Sequence, residues 1–147
     1  MPIPCNSLHQ AAWLALRQQL WPEGKSEEHL AEMSELLESP ERYAQFIEFG
    51  ETGEALGMVE VSLRSDYVNG TDTSPVAFLE GLFVVPQARK KGIARTLVAE
   101  AERWAKSKDC SEFASDALLE NTASHDMHTA LGFAETERVV YFKKRLE

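Results

Sequence analysis

The sequence predicts a mixed fold of the α+β and α/β type, in which helices cover both faces of a central mixed sheet. Two helical segments and three consecutive strand-like segments come first, and helices then alternate with strands to the C-terminus. The chain has 147 residues, a typical size for one domain. We therefore expect a single domain spanning residues 1–147.

Two helices are expected near the N-terminus. Ser7 and Gln10 fit a capping box, and apolar residues recur behind them at helical spacing until Pro22. Ser26, followed by two glutamates, begins a second helix that Pro40 ends.

Three strands are expected next. Residues 43–49 and 55–63 fit a hairpin joined by the turn 50–53. Residues 64–75 are polar and form a loop long enough to be a candidate for ligand binding. Residues 76–85 are nearly all apolar and predict a central strand buried on both faces.

The C-terminal part is expected to alternate helix and strand. Residues 93–105 carry a strong amphipathic pattern, residues 112–116 predict a short strand, and residues 123–131 predict a helix that Gly132 ends. Residues 133–145 are strand-like and complete the predicted sheet.

The charge balance restricts the partners. Fifteen basic against 24 acidic residues give a net charge of −9, which argues against nucleic acid and suits a cationic ligand. No apolar run approaches the roughly 20 residues of a membrane span, and no signal-peptide pattern is present, so we expect a cytoplasmic protein. Cys5 and Cys110 lack metal-like spacing and are interpreted as reduced structural thiols.

A basic turn carries the strongest chemical signal. Residues 89–94, Arg-Lys-Lys-Gly-Ile-Ala, lie between the apolar strand and the amphipathic helix. A basic, small-residue turn at a helix N-terminus can bind phosphate through backbone N–H groups and the helix dipole. The alternative is a merely solvated basic helix start, and the turn matches neither a Walker A loop nor a GxGxxG motif.

This turn, with Phe83-Val84-Val85-Pro86 before it, resembles the acetyl-CoA motif of the GNAT acetyltransferases, and Leu131-Gly132-Phe133 resembles the Leu-Gly-Phe of the same family. The resemblance implies a mostly antiparallel sheet with two splayed parallel strands, and acetyl-CoA as the co-substrate. It also implies the cofactor-binding residues. Leu82, Phe83 and Val84 would hold the pantetheine arm, the pyrophosphate would bind Lys90, Lys91, Gly92, Ile93, Ala94 and Arg95, and Asn121 would contact CoA.

A narrower resemblance is to the aminoglycoside 6′-N-acetyltransferases, which are antibiotic-resistance enzymes. Five segments carry it: Gln19-Leu20-Trp21-Pro22, Asp66-Tyr67-Val68-Asn69-Gly70, Phe78-Leu79-Glu80-Gly81, Ala114-Ser115-Asp116 and Glu135-Thr136-Glu137-Arg138. The resemblance implies that Trp21, Tyr67, Glu80, Asp116 and Glu137 line an aminoglycoside pocket. It also implies a homodimer that pairs through residues 139–143.

The residues themselves support part of this assignment. Glu80 interrupts an apolar strand, where a buried carboxylate is costly unless it is paired or functional. Asp116 ends a strand, where polar groups often face a crevice. The alternatives are a structural ion pair of Glu80 with Arg138, a turn role for Asp116, a solvated Glu137, and ordinary packing for the two aromatic residues.

The predicted helix 123–131 carries two histidines. His125 and His128 have no third ligand, so no metal is expected. His128 stands four residues before Gly132, where many GNAT enzymes have a tyrosine that protonates the departing thiolate. Either His128 replaces that tyrosine, or the thiolate needs no acid. The second alternative is reasonable because the pKa of a thiol is about 8.5.

Direct acyl transfer in a ternary complex is the expected reaction, with aminoglycoside 6′-amine and acetyl-CoA as substrates. Asp116 or Glu80, directly or through water, would accept the amine proton, with Asp116 preferred. Backbone N–H groups of the splayed strand would stabilise the oxyanion. The alternatives are a GNAT enzyme acting on another amine, such as a polyamine or a protein N-terminus, and a non-catalytic CoA-binding or ligand-sensing module.

Overall fold

The structure, a computed structural model, describes residues 1–147 except for the side chain of Leu8. The chain forms two compact units, residues 1–115 and residues 116–147. In the first unit, the strands and helices follow the predicted order, with one added N-terminal strand. They are β1 (Ile3–Pro4), α1 (Gln10–Leu20), α2 (Ser26–Glu38), β2 (Tyr43–Phe49), β3 (Ala55–Arg64), β4 (Val76–Val84), α3 (Ile93–Ser107) and β5 (Phe113–Ala114).

The five strands form one mixed sheet in the order β1-β2-β3-β4-β5. Neighbouring strands are antiparallel except for β4 and β5, which are parallel. The predicted α+β class with a mixed sheet is therefore confirmed. β5 is shorter than the predicted residues 112–116 and pairs with β4 at two positions only.

Helices cover both faces of this sheet. A Cβ at Gly57 would lie 3.1 Å from Cδ1 of Leu97 in α3, whereas Glu60, three residues along β3, bonds to side chains of α1. Because side chains alternate across a strand, positions 57 and 60 face opposite sides of the sheet. The core on these faces includes Trp13, Leu97 and the buried residues of β3.

The first N-terminal helix begins differently from the prediction, and the second begins where it was predicted. Ser7–His9 form a 3₁₀ turn, and α1 begins at Gln10 without a side-chain cap, so the predicted capping box is wrong. α2 begins at Ser26, as predicted. The cap position is Lys25, whose backbone N–H donates to Oε1 of Glu28 at 3.2 Å.

The second unit contains one helix, α4 (Thr122–Ala130). Gly132 follows it with φ 96°, as expected for a glycine that ends a helix. The predicted C-terminal strand is wrong for this chain, since no strand among the described residues pairs with residues 133–147. A strand needs a partner for its N–H and C=O groups, and apolar content alone does not provide one.

Two further properties concern the described residues. None of the described helices has both the length and the apolar character of a membrane span. Cys5 and Cys110 are both free, and burial raises the pKa of the Cys5 thiol to about 12.

Candidate active site

Glu80 lies in a β-bulge of β4. The ladder pairs Glu60 with Gly81 and Val61 with Leu79, which leaves Glu80 without a partner on β3. A bulge of this kind re-aims the side chain of the extra residue and is common beside active sites. The bulge therefore explains why a carboxylate can stand in an otherwise apolar strand.

Two residues of β3 hold the Glu80 carboxylate. Oε1 accepts from Oγ of Ser62 at 2.8 Å, and Nη2 of Arg64 lies 2.8 Å from Oε1 and 3.1 Å from Oε2. The Glu80 side chain remains 33% exposed, so the expectation that it is buried is wrong. Its ion-pair partner is Arg64 of the same strand pair, while Arg138 is ion-paired with Glu135 in its own unit. The bulge turns Glu80 towards solvent, where the near-surface guanidinium of Arg64 reaches it.

Glu80 lies where two clefts meet. The larger cleft, of about 500 Å³, is lined by Trp21 and by glutamates of α2. The smaller cleft, of about 340 Å³, is lined by Arg64, Tyr67 and other residues of the polar loop. Glu80 and Tyr43 line both clefts. The structure thus brings three of the predicted pocket residues, Trp21, Tyr67 and Glu80, to two clefts that share Glu80.

The indole of Trp21 packs directly on the backbone of the bulge. Trp21 follows α1, and its backbone N–H donates to the carbonyl of Arg17 at 2.8 Å. A Cβ at Gly81 would lie 2.7 Å from Cη2 of the indole. The absence of a side chain at Gly81 is therefore what lets this ring lie beside Glu80.

A buried ionic cluster under the larger cleft was not anticipated from the sequence. Glu60 is 5% exposed and accepts hydrogen bonds from Nε1 of Trp13 at 2.9 Å and from Nη1 of Arg17 at 2.6 Å. Burial raises the pKa of the Glu60 carboxyl, and the guanidinium of Arg17 acts in the opposite direction. Nη2 of Arg17 also bonds to Glu32 in α2.

The sequence did contain one signal for this cluster. Arg17 stands within the apolar stripe of α1, one helical turn after Trp13, and Glu60 stands within an apolar strand. Charged residues at core positions are usually paired with each other. That rule identifies Arg17 and Glu60 as residues that need a charged partner, but it does not show that they pair with each other.

The polar loop that carries Tyr67, residues 64–75, is held near its C-terminal end by Glu112. The carboxylate of Glu112 accepts from the backbone N–H groups of Asp72 at 2.9 Å and Thr73 at 2.8 Å, and from the hydroxyl of Thr73. These hydrogen bonds, the one from the Thr73 hydroxyl first, lower the pKa of Glu112 below its usual range. Tyr67 is 74% exposed.

The second half of β4 offers a free backbone edge. β5 pairs with β4 only at Ala77 and Phe78, and no described strand continues along that edge beside Leu82, Phe83 and Val84. The opposite edge of these residues pairs with β3. Backbone groups on this edge can bond to an extended ligand, as the resemblance implies for a pantetheine arm, except the carbonyl of Val84, which already accepts from Nε of Arg89.

The basic turn has the backbone of an anion site. Lys90 has φ 63° and Gly92 has φ 83°, and α3 begins immediately afterwards at Ile93. The first turn of α3 has no acidic residue, while Lys90, Lys91 and Arg95 are exposed. Helix N–H groups and nearby cations fit a pyrophosphate. Arg89 instead folds back, and its Nε donates to the carbonyl of Val84 at 2.8 Å.

The remaining predicted site residues belong to the second unit. Asp116 is its first residue and is exposed, two residues after β5. Asn121 caps α4, and its Oδ1 accepts from the backbone N–H of Ser124 at 3.2 Å. Glu137 is exposed in the segment without regular structure.

The two histidines have contacts within the same unit. Nδ1 of His128 lies 2.7 Å from the carbonyl O of Ser124, and its ring meets Phe133 edge-on. Nε2 of His125 lies 2.9 Å from the carbonyl O of Leu118. Across the described residues, no three His, Cys, Asp or Glu side chains are grouped as metal ligands.

Comparison with known proteins supplies the context for these features. Residues 10–133 match the model of the acetyltransferase (GNAT) family. The chain is 53% identical over 144 residues to an aminoglycoside N(6′)-acetyltransferase type 1 of Acinetobacter genomosp. 13, a match that covers 98% of this chain and 97% of that protein.

Solved structures agree with this match. The crystal structure of the aminoglycoside 6′-N-acetyltransferase AAC(6′)-Ih from Acinetobacter baumannii is 51% identical, with a TM-score of 0.95, and covers 100% of this chain and 99% of that chain. AAC(6′)-Iy in complex with the bisubstrate analogue CoA-S-monomethyl-acetylneamine is 46% identical, with a TM-score of 0.94. This match covers 99% of this chain and 98% of that chain.

Proposed function

The chain belongs to the GNAT family of acetyltransferases, and we propose that it transfers the acetyl group of acetyl-CoA to the 6′-amino group of aminoglycoside antibiotics, which gives resistance. The observation that carries this proposal is the position of Glu80. Its carboxylate lies where two clefts meet and two residues before the strand segment with the free edge. A cationic amine bound there is next to the backbone expected to hold the thioester.

Acetyl-CoA is the proposed co-substrate. The free edge of Leu82, Phe83 and Val84 suits the amide groups of the pantetheine arm, and residues 90–95 suit the pyrophosphate. Asn121, at the start of α4, is the proposed additional CoA contact. The structure of the relative AAC(6′)-Iy, which contains a CoA bisubstrate analogue, supports this assignment.

The aminoglycoside is proposed to bind through carboxylates and aromatic faces. Glu80, Asp116 and Glu137 would neutralise its ammonium groups, and Trp21 and Tyr67 would cover its apolar ring faces. The net charge of −9 favours the approach of such a polycation. Trp21 and Tyr67 lie in the two clefts that share Glu80, which supports a ligand extending across both.

The proposed reaction is direct attack within a ternary complex. The 6′-ammonium first loses a proton, and its nitrogen then attacks the thioester carbonyl carbon. The C–S bond breaks to release CoA thiolate, and the nitrogen loses its second proton to water to give the neutral amide. Asp116, directly or through water, is the proposed proton acceptor, and Glu80 is the second candidate. Arg64 and Ser62 already occupy oxygens of Glu80, which favours Asp116 as the base. Backbone N–H groups of β4 stabilise the oxyanion.

The CoA thiolate can leave in two ways, without an enzyme acid or with one. A thiol pKa near about 8.5 allows CoA thiolate to leave without an enzyme acid. His128 is the alternative donor, and it would have to act as an imidazolium if Nδ1 keeps its bond to the carbonyl of Ser124.

The assembly and location are part of the proposal. We propose that residues 1–147 act as one catalytic domain, since the family match runs through both compact units. The protein would act in the cytoplasm, where acetyl-CoA is available, and as a homodimer paired through residues 139–143.

One assay separates this proposal from its rivals. The protein is incubated with acetyl-CoA, a thiol-reactive dye and a panel of 6′-amino aminoglycosides, polyamines and peptide N-termini, and products are mapped by NMR. Acetylation at the 6′ nitrogen of kanamycin or tobramycin is expected. Turnover of polyamines or peptides alone would support a GNAT enzyme for another amine. CoA binding without turnover of any amine would support a non-catalytic module.

A further inference from the structure

A buried pair of side chains, Arg17 and His29, underlies the aromatic wall of the larger cleft. We propose that these two are positioning residues that hold the indole of Trp21 beside Glu80 and thereby set the affinity for the aminoglycoside. This inference rests on the proposed function. It assigns a role in substrate binding to two side chains that are 2% and 3% exposed.

Arg17 contacts Trp21 through its guanidinium. The guanidinium carbon lies 4.8 Å from the centroid of the indole, a distance at which a cation is attracted to an aromatic face. The guanidinium is fixed from two other sides, because Nη1 bonds to both oxygens of Glu60 and Nη2 bonds to Glu32. A rigid cation therefore lies against the ring.

His29 connects the same arginine to the backbone of Trp21. Nε of Arg17 donates to Nδ1 of His29 at 3.2 Å, so the proton of a neutral imidazole is on Nε2. Nε2 lies 3.2 Å from the carbonyl O of Trp21 and can donate to it. The turn after α1 closes over the imidazole, since a Cβ at Gly24 would lie 2.9 Å from Nε2.

These contacts restrain both ends of Trp21. Its carbonyl is held by His29, and its indole lies against Arg17 and Gly81. A ring fixed before the ligand arrives binds with a smaller loss of conformational freedom. Loss of the restraint should weaken aminoglycoside binding in the ground state and transition state alike, which raises KM and leaves kcat unchanged.

The test uses His29→Leu, which keeps the volume and removes both nitrogens, and His29→Gln, which keeps an N–H near Nε2. Trp13→Phe is the matched control, because it removes a hydrogen bond to Glu60 in the same cluster and leaves both hydrogen bonds of His29 in place. KM and kcat for kanamycin, KM for acetyl-CoA, and Tm are measured for each. We expect His29→Leu to raise KM for kanamycin by about fivefold or more. We also expect His29→Gln to recover part of the loss and Trp13→Phe to lower Tm alone.

A second measurement needs no substrate. In a Trp104→Phe background, acrylamide quenching of fluorescence reports Trp21, because Trp13 is fully buried. His29→Leu should increase quenching in this background, and His29→Gln should do so less. Unchanged quenching, or a KM effect of Trp13→Phe equal to that of His29→Leu, would overturn the inference. A wild-type protein that acetylates no aminoglycoside would refute the proposed function, while the quenching result would still decide whether the pair restrains Trp21.

Discussion

Trp21 and Gly81 are in such close contact that a methyl group on Gly81 would lie 2.7 Å from Cη2 and 2.9 Å from Cζ2 of the indole. Real Cβ atoms do not approach carbon this closely, so the ring would have to move. Because Gly81 directly follows Glu80, the movement occurs at the junction of the two clefts.

We therefore expect Gly81→Ala to raise KM for aminoglycosides by about tenfold, with a smaller change in kcat. A double-mutant cycle tests the cause. In a Trp21→Ala background, the same Gly81→Ala change should cost little, because the clashing ring is gone. Equal costs in both backgrounds would show that the contact between the ring and the glycine does not matter for binding.

Gly92 is expected to control CoA binding. Its φ of 83° disfavours a side chain, and a carboxylate there would repel the pyrophosphate. Gly92→Asp should weaken CoA binding strongly in a folded protein, as measured by calorimetry. Gly53→Asp is the matched control, since Gly53 has φ 88° in the hairpin turn, and a Cβ at either glycine would meet no atom within 4 Å beyond its chain neighbours. Normal CoA affinity in Gly92→Asp would contradict the assignment of the turn.

The two candidate bases should separate kinetically. Asp116→Asn should lower kcat by roughly 100-fold or more, the usual scale for a lost general base, and flatten the acidic limb of the pH–rate profile. Glu80→Gln should chiefly raise KM, since Glu80 is assigned to ligand binding. The reverse pattern would make Glu80 the base. Near-normal kcat in both variants would mean that water takes the proton.

The attachment of the polar loop should depend on pH through Glu112. Hydrogen bonds from Thr73 and Asp72 lower the pKa of this carboxyl in the folded chain. A depressed pKa means that the stabilisation is complete above the unfolded value of about 4.3 and is lost as the pH falls through the folded pKa. NMR shifts of the Asp72 and Thr73 amide protons should titrate with a midpoint below that value, and Glu112→Gln should abolish the titration. A midpoint at or above about 4.3 would contradict the attachment of the loop by Glu112.

The apolar C-terminal segment should mediate a homodimer. Val140, Tyr141 and Phe142 are 74%, 79% and 91% exposed. Clustered exposed apolar residues invite association with another chain. Light scattering at micromolar concentration should give a dimer, and Phe142→Glu should shift it towards monomer. Leu146→Glu is the control, because it introduces the same charge at a residue that is 85% exposed but lies outside 139–143. It should leave the dimer unchanged. A wild-type monomer would rule the proposal out.

Local patterns were sufficient for most of the fold. Apolar periodicity predicted β2, β3, β4 and α3 to within a few residues, because burial of one face or of a whole strand leaves a mark on the sequence. The basic turn at residues 89–94 was also recognisable from the sequence, because a glycine among clustered cations is a local feature. The structure gives this glycine, Gly92, a positive φ. Glu80 stood out as a charge in an apolar strand.

Long-range contacts were decided by the folded chain. Nothing in the spacing shows that Arg17 and Glu60 meet, because 43 residues separate them and the contact depends on how α1 packs on β3. The exposure of Glu80 depends on a bulge in the ladder with β3, which a one-strand pattern cannot reveal. The predicted C-terminal strand was wrong for a related reason: β-branched and aromatic residues favour a strand, but a strand exists only where another backbone accepts its hydrogen bonds.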